Sequence, residues 1–164
     1  MKRVVNTPHK ELLLNYSYQK NTSYNLKPNG LWYAIGTEWI EWCESEMPHW
    51  VHPYCIEIEI DQNKILLIQT LTDLKKFIIE YSSNPIDSFY TIDWKKLSNE
   101  CSGIEINNYY TLKWRLMNLD IGKGIWLSSW DVSSGCIWDL SIIKNWKCYE
   151  KDIATQMEPN PYSI

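Results

Sequence analysis

The sequence predicts an α+β fold in which short helices are inserted among mostly antiparallel strands. Residues 54–61, YCIEIEID, alternate apolar and acidic side chains, as a half-buried strand does. Residues 73–82, DLKKFIIEYS, instead repeat apolar side chains at helical spacing. Segments of both kinds are interleaved along the chain without an internal repeat, so we expect one mixed domain over residues 1–164.

The first part of the chain predicts an arm and two strands. Residues 1–10 predict a loose N-terminal arm. Residues 11–18, ELLLNYSY, predict a strand because an apolar run leads into alternating aromatic residues. A polar loop over 19–29 leads into a Pro-Asn-Gly turn signal, and the aromatic strand LWYAI follows at 31–35.

A helix and two strands are predicted next. Thr37 can cap a helix over 38–47, EWIEWCESEM, which Pro48 ends. The alternating segment 54–61 predicts the first of the two strands, and KILLIQT at 64–70 predicts a second strand that is more fully buried.

The second half predicts a similar mixture. Thr72 is the expected cap of the helix over 73–82. The remaining chain predicts, in order, a helix over 92–100, a strand over 103–107, a stretch over 108–120 that fits either strand or helix, strands over 124–132 and 136–140, and a mobile tail over 151–164.

Charge and composition exclude several classes of function. The net charge is −4 and no run of lysine and arginine occurs, so we expect no footprint for duplex DNA. No apolar run approaches the roughly 18 residues of a membrane span, so no membrane contact is expected. The first residues lack the apolar core of a secretory signal, and the five cysteines include no CxxC pair. We therefore expect reduced thiols and a cytoplasmic protein.

The aromatic content is unusual, with ten Trp and eleven Tyr against two Phe. Large rings with a polar atom suit a protein core, and they also suit a stacking surface for a base, a nicotinamide or a sugar. We expect most of the tryptophans in the core and some at a binding site.

Three stretches together resemble a known family. LNYSY at 14–18 is followed by GLWYA at 30–34 and then by a helix with aromatic residues, and WDVSSGCIWDLSII occupies 130–143. This order resembles the ADP-ribosyltransferase superfamily, in its poly-ADP-ribose-polymerase-like and diphtheria-toxin-like branch. WKKLSNECSGIEINNY at 94–109 is also similar to a stretch of small viral and bacterial relatives. The resemblance implies a split, mostly antiparallel sheet whose early strands line a pocket for NAD.

The resemblance also implies roles for individual residues. Tyr16 falls where the family has a histidine, so its hydroxyl would contact the ribose as a catalytic residue. The Ser17 backbone would hold the nicotinamide carboxamide, the Trp32 indole would stack on the ring, and Lys27 would meet the pyrophosphate. The residues expected to bind NAD are Ser17, Lys27, Gly30, Trp32, Tyr33, Trp39 and Ser134.

The family's catalytic glutamate is not matched in the late segment, where Ser134 occupies its position. Cleavage of the bond between nicotinamide and ribose passes through an oxocarbenium-like state, which a carboxylate stabilises. Asp131 is the nearest carboxylate and our expected catalytic acid group, and Glu105 is the second candidate. The alternative for Asp131 is a turn cap made by its side chain.

A second group of residues suggests a metal site. Cys43, His49, His52 and Cys55 have the spacing C-x5-H-x2-H-x2-C, and zinc accepts these ligand types. A plain loop between a helix and a strand explains the same residues, and the spacing matches no standard zinc module. We assign no metal.

Two functions remain in view. The first is a small NAD-dependent ADP-ribosyltransferase that modifies a host protein or nucleic acid, as a phage or effector protein acting against host defence would in the host cytoplasm. The second is a non-catalytic binding or inhibitor module that uses its aromatic surface to bind a protein or a nucleotide. A carbohydrate-binding β-sandwich is disfavoured by the inserted helices.

Overall fold

The computed structural model describes residues 2–23, 25–83, 90–117 and 125–154. The described strands form one sheet in the order β4-β5-β6-β2-β1-β3-β7, in which β4 and β5 are parallel and every other neighbouring pair is antiparallel. The strands are β1 Arg3–Thr7, β2 Leu31–Ile35, β3 Tyr54–Ile60, β4 Ile65–Ile68, β5 Gly103–Ile106, β6 Ser134–Ile137 and β7 Ile143–Glu150. The predicted mixed α+β class with a mostly antiparallel sheet is confirmed. The expected split is not observed, because the described strands pair continuously.

Helices and short turns connect these strands. The helices are α1 Glu38–Glu46, α2 Leu71–Tyr81, α3 Trp94–Glu100, α4 Tyr109–Met117, α5 Ile125–Ser128 and α6 Lys151–Ala154. Single 3-10 turns occur at Pro48–Trp50, Gln62–Lys64 and Leu140–Ile142. Within the described ranges, no helix has both the length and the apolar character needed to cross a bilayer.

The two faces of the sheet are covered differently. One face carries a core that includes Tyr33, Ile56 and Ile58, and the segment before β2 packs Leu12 and Tyr18 against it. On the other face, α2 to α5 bury a large core over β4, β5 and β6. A smaller cluster of Val4, Ile40 and Cys55 lies under α1 on that same face. The space between the large core and the small cluster is where a pocket opens.

The start of the chain differs most from its prediction. The predicted arm over 1–10 contains β1, which pairs with both β2 and β3 in the middle of the sheet. The predicted strand over 11–18 is wrong. This segment has no regular secondary structure, and it contacts one face of the sheet only through side chains. Of this segment, Leu12 and Tyr18 pack against the sheet, whereas Leu13 and Leu14 are exposed.

Three later predictions also need correction. The segment 124–132 was expected to be a strand, but Ile125–Ser128 is a helix. The segment 64–70 was expected to be well buried, but β4 is an edge strand in which Leu67 is 40% exposed. Thr70, not Thr72, caps α2.

The end of the chain was also only partly anticipated. The strand β7 had no predicted counterpart, and it pairs with β3 at the edge of the sheet. Of the expected mobile tail over 151–164, the first four residues form α6, and 155–164 lie outside the described residues.

Candidate functional site

A pocket of about 510 Å³ opens on the sheet face that carries α1. Its floor is made by three neighbouring strands, β1, β2 and β6. Its walls come from α1, from the turn that follows α1, and from the loop before β6. The lining residues are Val4, Asn6, Lys27, Trp32, Tyr33, Ala34, Trp39, His49, Trp50, His52, Trp130, Asp131, Val132 and Ser134. This volume is within the range of small-molecule and cofactor sites.

Trp32 forms an aromatic wall at one side of the pocket. Alternation along β2 turns its half-buried indole toward the pocket, and its ring meets the Trp130 ring edge-to-face at 4.8 Å between centroids. The Lys27 ammonium lies 5.2 Å from the centre of the Trp32 ring. The indole N–H of the fully buried Trp130 has no hydrogen-bond partner among the described residues. A planar ligand ring and a negatively charged group would both find complementary partners here.

A second aromatic wall is built from α1 and the turn after it. The Trp39 and Trp42 rings stack at 5.1 Å, and the Trp50 ring stacks on Trp39 at 6.2 Å. His49 meets Trp50 edge-on at 6.1 Å. Trp39 was predicted from the sequence, whereas Trp50 and His49 were considered only as part of a loop or metal site. The pocket therefore has two separate groups of rings.

Asp131 brings a carboxylate into the pocket. Its Oδ2 lies 3.8 Å from Lys27 Nζ, and the two side chains are 33% and 42% exposed. An ion pair this exposed contributes little energy, so a ligand can separate the two charges. Burial raises the pKa of the Cys43 thiol to about 11, and the negative charge of Asp131 adds to this shift.

Ser134 also lines the pocket, at the first position of β6. Its hydroxyl donates to the Val132 carbonyl at 2.9 Å, which fixes the turn into the strand. A hydroxyl with this partner cannot supply the negative charge of the glutamate that the family resemblance expects at this position. Of the predicted polar side chains in the pocket, Asp131 alone is acidic.

Asn6 and His52 are pocket residues that the sequence reasoning did not assign to this site. The Asn6 side chain holds the His52 backbone from both sides: Nδ2 donates to the His52 carbonyl at 2.9 Å, and Oδ1 accepts from the His52 amide at 2.7 Å. This clamp fixes the loop that carries His52 and follows Trp50. The clustering of two of the three histidines near a tryptophan was the available sequence signal.

Tyr16 and Ser17 are not brought into this pocket. They line a separate cleft of about 420 Å³ together with Trp138, Asp139 and Leu140. Tyr16 is 57% exposed, and Leu140 belongs to the core on the opposite sheet face. The expected grouping of Tyr16 with Trp32 and Asp131 therefore does not occur. The reason is that 11–18 is not the strand beside β2; β1 occupies that place.

Gly30 and Tyr33 were expected to bind NAD, but their contacts in the structure are with the protein itself. A Cβ on Gly30 would lie 2.7 Å from Cys136 Sγ and would overlap the Ile137 carbonyl, so this glycine permits close contact with β6 rather than with a ligand. The Tyr33 backbone borders the pocket, but its ring belongs to the core of the other face.

Glu105, the second candidate carboxylate, is buried and hydrogen-bonded to other side chains of the protein. It is 1% exposed and accepts hydrogen bonds from Arg3 Nε at 2.5 Å, from the Tyr33 hydroxyl at 2.7 Å and from Asn107 Nδ2 at 3.2 Å. It does not line the pocket. Asp131 is therefore the candidate that remains for a catalytic carboxylate.

The alternative zinc site gains no support from the geometry. In the described parts of the chain, no group of three or more His, Cys, Asp or Glu side chains is arranged to hold a metal ion. Cys43 and Cys55 are both fully buried, and burial raises the pKa of each thiol. Zinc binds the thiolate, so these surroundings oppose the ligand role.

Comparisons of this chain with protein-family models, with curated proteins and with solved structures find no match.

Proposed function

We propose that the protein binds NAD in the pocket and transfers its ADP-ribosyl group to a macromolecule. One observation carries this proposal. The neighbouring strands β2 and β6, the loops that precede them and the helix α1 gather Lys27, Trp32, Trp39, Asp131 and Ser134 around one cavity. Four of these residues are ones that the sequence analysis expects to bind NAD, and Asp131 is its expected catalytic carboxylate.

The chemistry assigns a task to each side of the pocket. The Trp32 face stacks on nicotinamide, and Lys27 moves from Asp131 to the pyrophosphate. The second wall, formed by Trp39 and Trp50, offers a surface for the adenine ring. Asp131, released from Lys27, then stabilises the positive charge that develops on the ribose.

The reaction balances without a further reagent. The bond between ribose C1′ and the nicotinamide nitrogen breaks, and its electron pair leaves with neutral nicotinamide. A nucleophilic atom of the acceptor forms the new bond to C1′ and gives up its proton to a base or to water. In this scheme Asp131 stabilises the positive charge on the ribose, and Lys27 pairs with the negative charge of the pyrophosphate.

A non-catalytic nucleotide-binding module is the second candidate. The observations that favour it are Ser134 at the glutamate position and Tyr16 in a different cleft. In this case the aromatic walls and Lys27 hold the dinucleotide, and Asp131 serves as the resting partner of Lys27.

Titration with NAD tests the shared part of both candidates. We expect NAD to quench tryptophan fluorescence and to give a calorimetric binding signal. Trp32→Ala removes the stacking face and should weaken binding about tenfold or more, since base–aromatic stacking contributes about 1–3 kcal/mol. Trp114→Ala is the matched control, because Trp114 is 69% exposed and lies outside the pocket lining. Equal binding by the two variants, or no binding by the wild type, contradicts the proposal.

Nicotinamide release separates the two candidates. The wild type should release nicotinamide from NAD, and Asp131→Asn should bind NAD but release nicotinamide at least about 100-fold more slowly, as expected when one charge-stabilising group is lost. Wild-type binding without release supports the binding module instead.

A further inference from the structure

The Lys27 ammonium lies between an aromatic ring and a carboxylate of the pocket. Its Nζ is 5.2 Å from the centre of the Trp32 ring and 3.8 Å from Asp131 Oδ2. A cation within about 6 Å of the centre of an indole is attracted by the negative face of the ring. The ring and the carboxylate therefore act on the same positive charge, and the protein itself supplies that charge.

The same position suits the centre of a positively charged planar ring. Stacked aromatic rings have centroids about 4.5–7 Å apart, so a ring centred where Lys27 Nζ lies would be at stacking distance from Trp32. It would also lie within the ion-pair distance of about 4 Å from Asp131 Oδ2. The fully buried Trp130 packs edge-to-face against Trp32 at 4.8 Å, so the stacking face is held in place by the core.

The charges of the pocket lining leave this position to one cation. Among the described residues that line the pocket, Asp131 is the one carboxylate and Lys27 is the one lysine or arginine. His49 and His52 also line the pocket, in and after the turn that follows α1. Departure of the Lys27 ammonium therefore leaves an unpaired negative charge beside Trp32.

Lys27 can leave this position by a movement of its side chain alone. Hydrogen bonds hold its loop on both sides. The Asn25 carbonyl accepts from the Trp94 indole N–H at 2.8 Å, and the Asn29 amide donates to Asn21 Oδ1 at 2.7 Å. The Lys27 side chain is 42% exposed, and an ion pair with this exposure is weak. A ligand cation can therefore replace the ammonium while the backbone of the loop stays in place.

We propose that Trp32 and Asp131 form a binding site for a positively charged planar ring, and that the Lys27 ammonium occupies this site until such a ring displaces it. A neutral ring gains only the stacking contact, because it cannot pair with the carboxylate. It also has to compete with the ammonium for the same face. The site therefore selects its ligand by the charge of the ring.

Applied to NAD, this inference rests on the proposed function. The nicotinamide ring of NAD is positively charged, whereas the dihydronicotinamide ring of NADH is neutral. The two dinucleotides share the pyrophosphate and both riboses, so we expect the pocket to bind NAD more tightly than NADH. The displaced Lys27 ammonium then pairs with the pyrophosphate. One lysine thereby disfavours neutral rings and favours the oxidised dinucleotide.

The test compares two probes that differ mainly in charge: 1-methylnicotinamide, which is a cation, and nicotinamide, which is neutral. Dissociation constants are measured by ligand-observed NMR titration. We expect the wild type to bind the cation at least about fivefold more tightly, the change that about 1 kcal/mol produces. Asp131→Asn should reduce this preference to about twofold or less, because the ring face remains and the charge is lost.

Asp61→Asn is the matched control for the carboxylate. Asp61 Oδ1 forms a similar partly exposed ion pair with Lys144 Nζ, at 3.7 Å, and it lies outside the pocket lining. This variant should keep the preference of the wild type for the cation. A loss equal to that of Asp131→Asn would show that the preference does not arise in the pocket.

A further variant tests the displacement of Lys27. Lys27→Met keeps an extended side chain and removes the competing charge, so it should bind 1-methylnicotinamide at least about threefold more tightly than the wild type. Lys147→Met is the matched control, because the Lys147 ammonium lies 4.9 Å from the centre of the Tyr149 ring, outside the pocket lining. It should bind both probes like the wild type.

Several results would overturn the inference. Equal binding of the two probes by the wild type, or no binding of either up to the solubility limit, contradicts the cation site. A Lys27→Met protein that binds the cation no more tightly than the wild type contradicts the displacement of Lys27.

Titration with NAD and NADH keeps these outcomes apart from the proposed function. A preference for the cationic probe without any binding of NAD retains the cation site and contradicts the proposed function. Equal binding of NAD and NADH, together with equal binding of the two small probes, does the reverse.

Discussion

Gly135 is a residue at which the packing of the sheet depends on the absence of a side chain. Tyr33, Gly135 and Glu105 are paired side by side across β2, β6 and β5. The Tyr33 ring crosses over Gly135 so that its hydroxyl reaches Glu105. A Cβ at position 135 would overlap this ring and would lie 2.8 Å from the Ile104 carbonyl. The hydrogen bond between two non-neighbouring strands therefore requires glycine between them.

Gly135→Ala should destabilise the protein by about 1–3 kcal/mol, because the ring or the strand must move. Urea unfolding of the two proteins measures the difference. The double variant Gly135→Ala/Tyr33→Ala is the control, since removal of the ring relieves the overlap. Its cost should be less than the sum of the two single costs. A Gly135→Ala protein as stable as the wild type would show that the crossing is not tight.

At the scale of elements, α2 shows a complete capping box. Thr70 Oγ1 accepts from the Asp73 amide at 3.2 Å, and Asp73 Oδ2 accepts from the Thr70 amide at 2.9 Å. The Thr70 hydroxyl also donates to Asp73 and is the main reason that the pKa of this carboxyl is lowered. Both orphan amides at the helix start are thereby satisfied.

Thr70→Ala should cost about 1 kcal/mol at neutral pH, whereas Thr72→Ala, at an exposed position of the same turn, should cost less than about 0.5 kcal/mol. A carboxyl whose pKa is lowered on folding stabilises the protein above its unfolded pKa and loses that contribution as the pH falls through its folded pKa. The cost of Thr70→Ala should therefore shrink below about pH 4. Denaturant unfolding between pH 3 and 7 checks this, and equal costs for the two threonines would contradict it.

Elements with strong periodicity could be predicted from the sequence, and elements defined by long-range pairing could not. The alternation of β3 and the apolar face of α2 have clear patterns, and both predictions are confirmed. By contrast, β1 is five residues long and contains a single apolar pair, Val4 and Val5, so nothing local separates it from an arm. Its place in the sheet comes from its partners. The helix α5 is only four residues long, Ile125–Ser128, which is too short for a helical repeat of apolar residues to show in the sequence.

The sequence predicted those residues of the candidate site whose position depends on a single correctly predicted strand or on the loop next to it. Trp32 lies on β2 and Asp131 in the loop before β6, and both line the pocket because these two strands are neighbours in the sheet. Tyr16 and Ser17 were misplaced because they depended on the wrong first strand. Alternation along β2 could have separated Tyr33 from Trp32, since adjacent residues of a strand face opposite sides of the sheet.

At the scale of the whole molecule, a buried ionic network links the two halves of the sheet. Arg3 of β1 and Glu105 of β5 are separated by β2 and β6 in the sheet, and Tyr33 and Asn107 complete the hydrogen bonds of the carboxylate. The network lies on the face opposite the pocket floor, so it fixes the strands whose other sides carry Trp32 and Ser134. Burial of Arg3 lowers the pKa of its guanidinium, and the contact with Glu105 raises it. The net effect is a raised pKa. The guanidinium therefore stays charged in the interior.

Arg3→Met should cost about 3–5 kcal/mol, because it leaves the Glu105 carboxylate buried without its cation. The double variant Arg3→Met/Glu105→Gln should regain a substantial part of this loss, since the amide is neutral and still accepts from Tyr33. Lys2→Met is the matched control: its ion pair with Glu57, at 3.4 Å, is partly exposed to solvent and should contribute less than about 1 kcal/mol. Urea unfolding of the wild type and of these three variants measures the differences in the free energy of unfolding. A double variant no more stable than Arg3→Met would mean that the cost arises from lost packing of the arginine stem rather than from an unpaired charge.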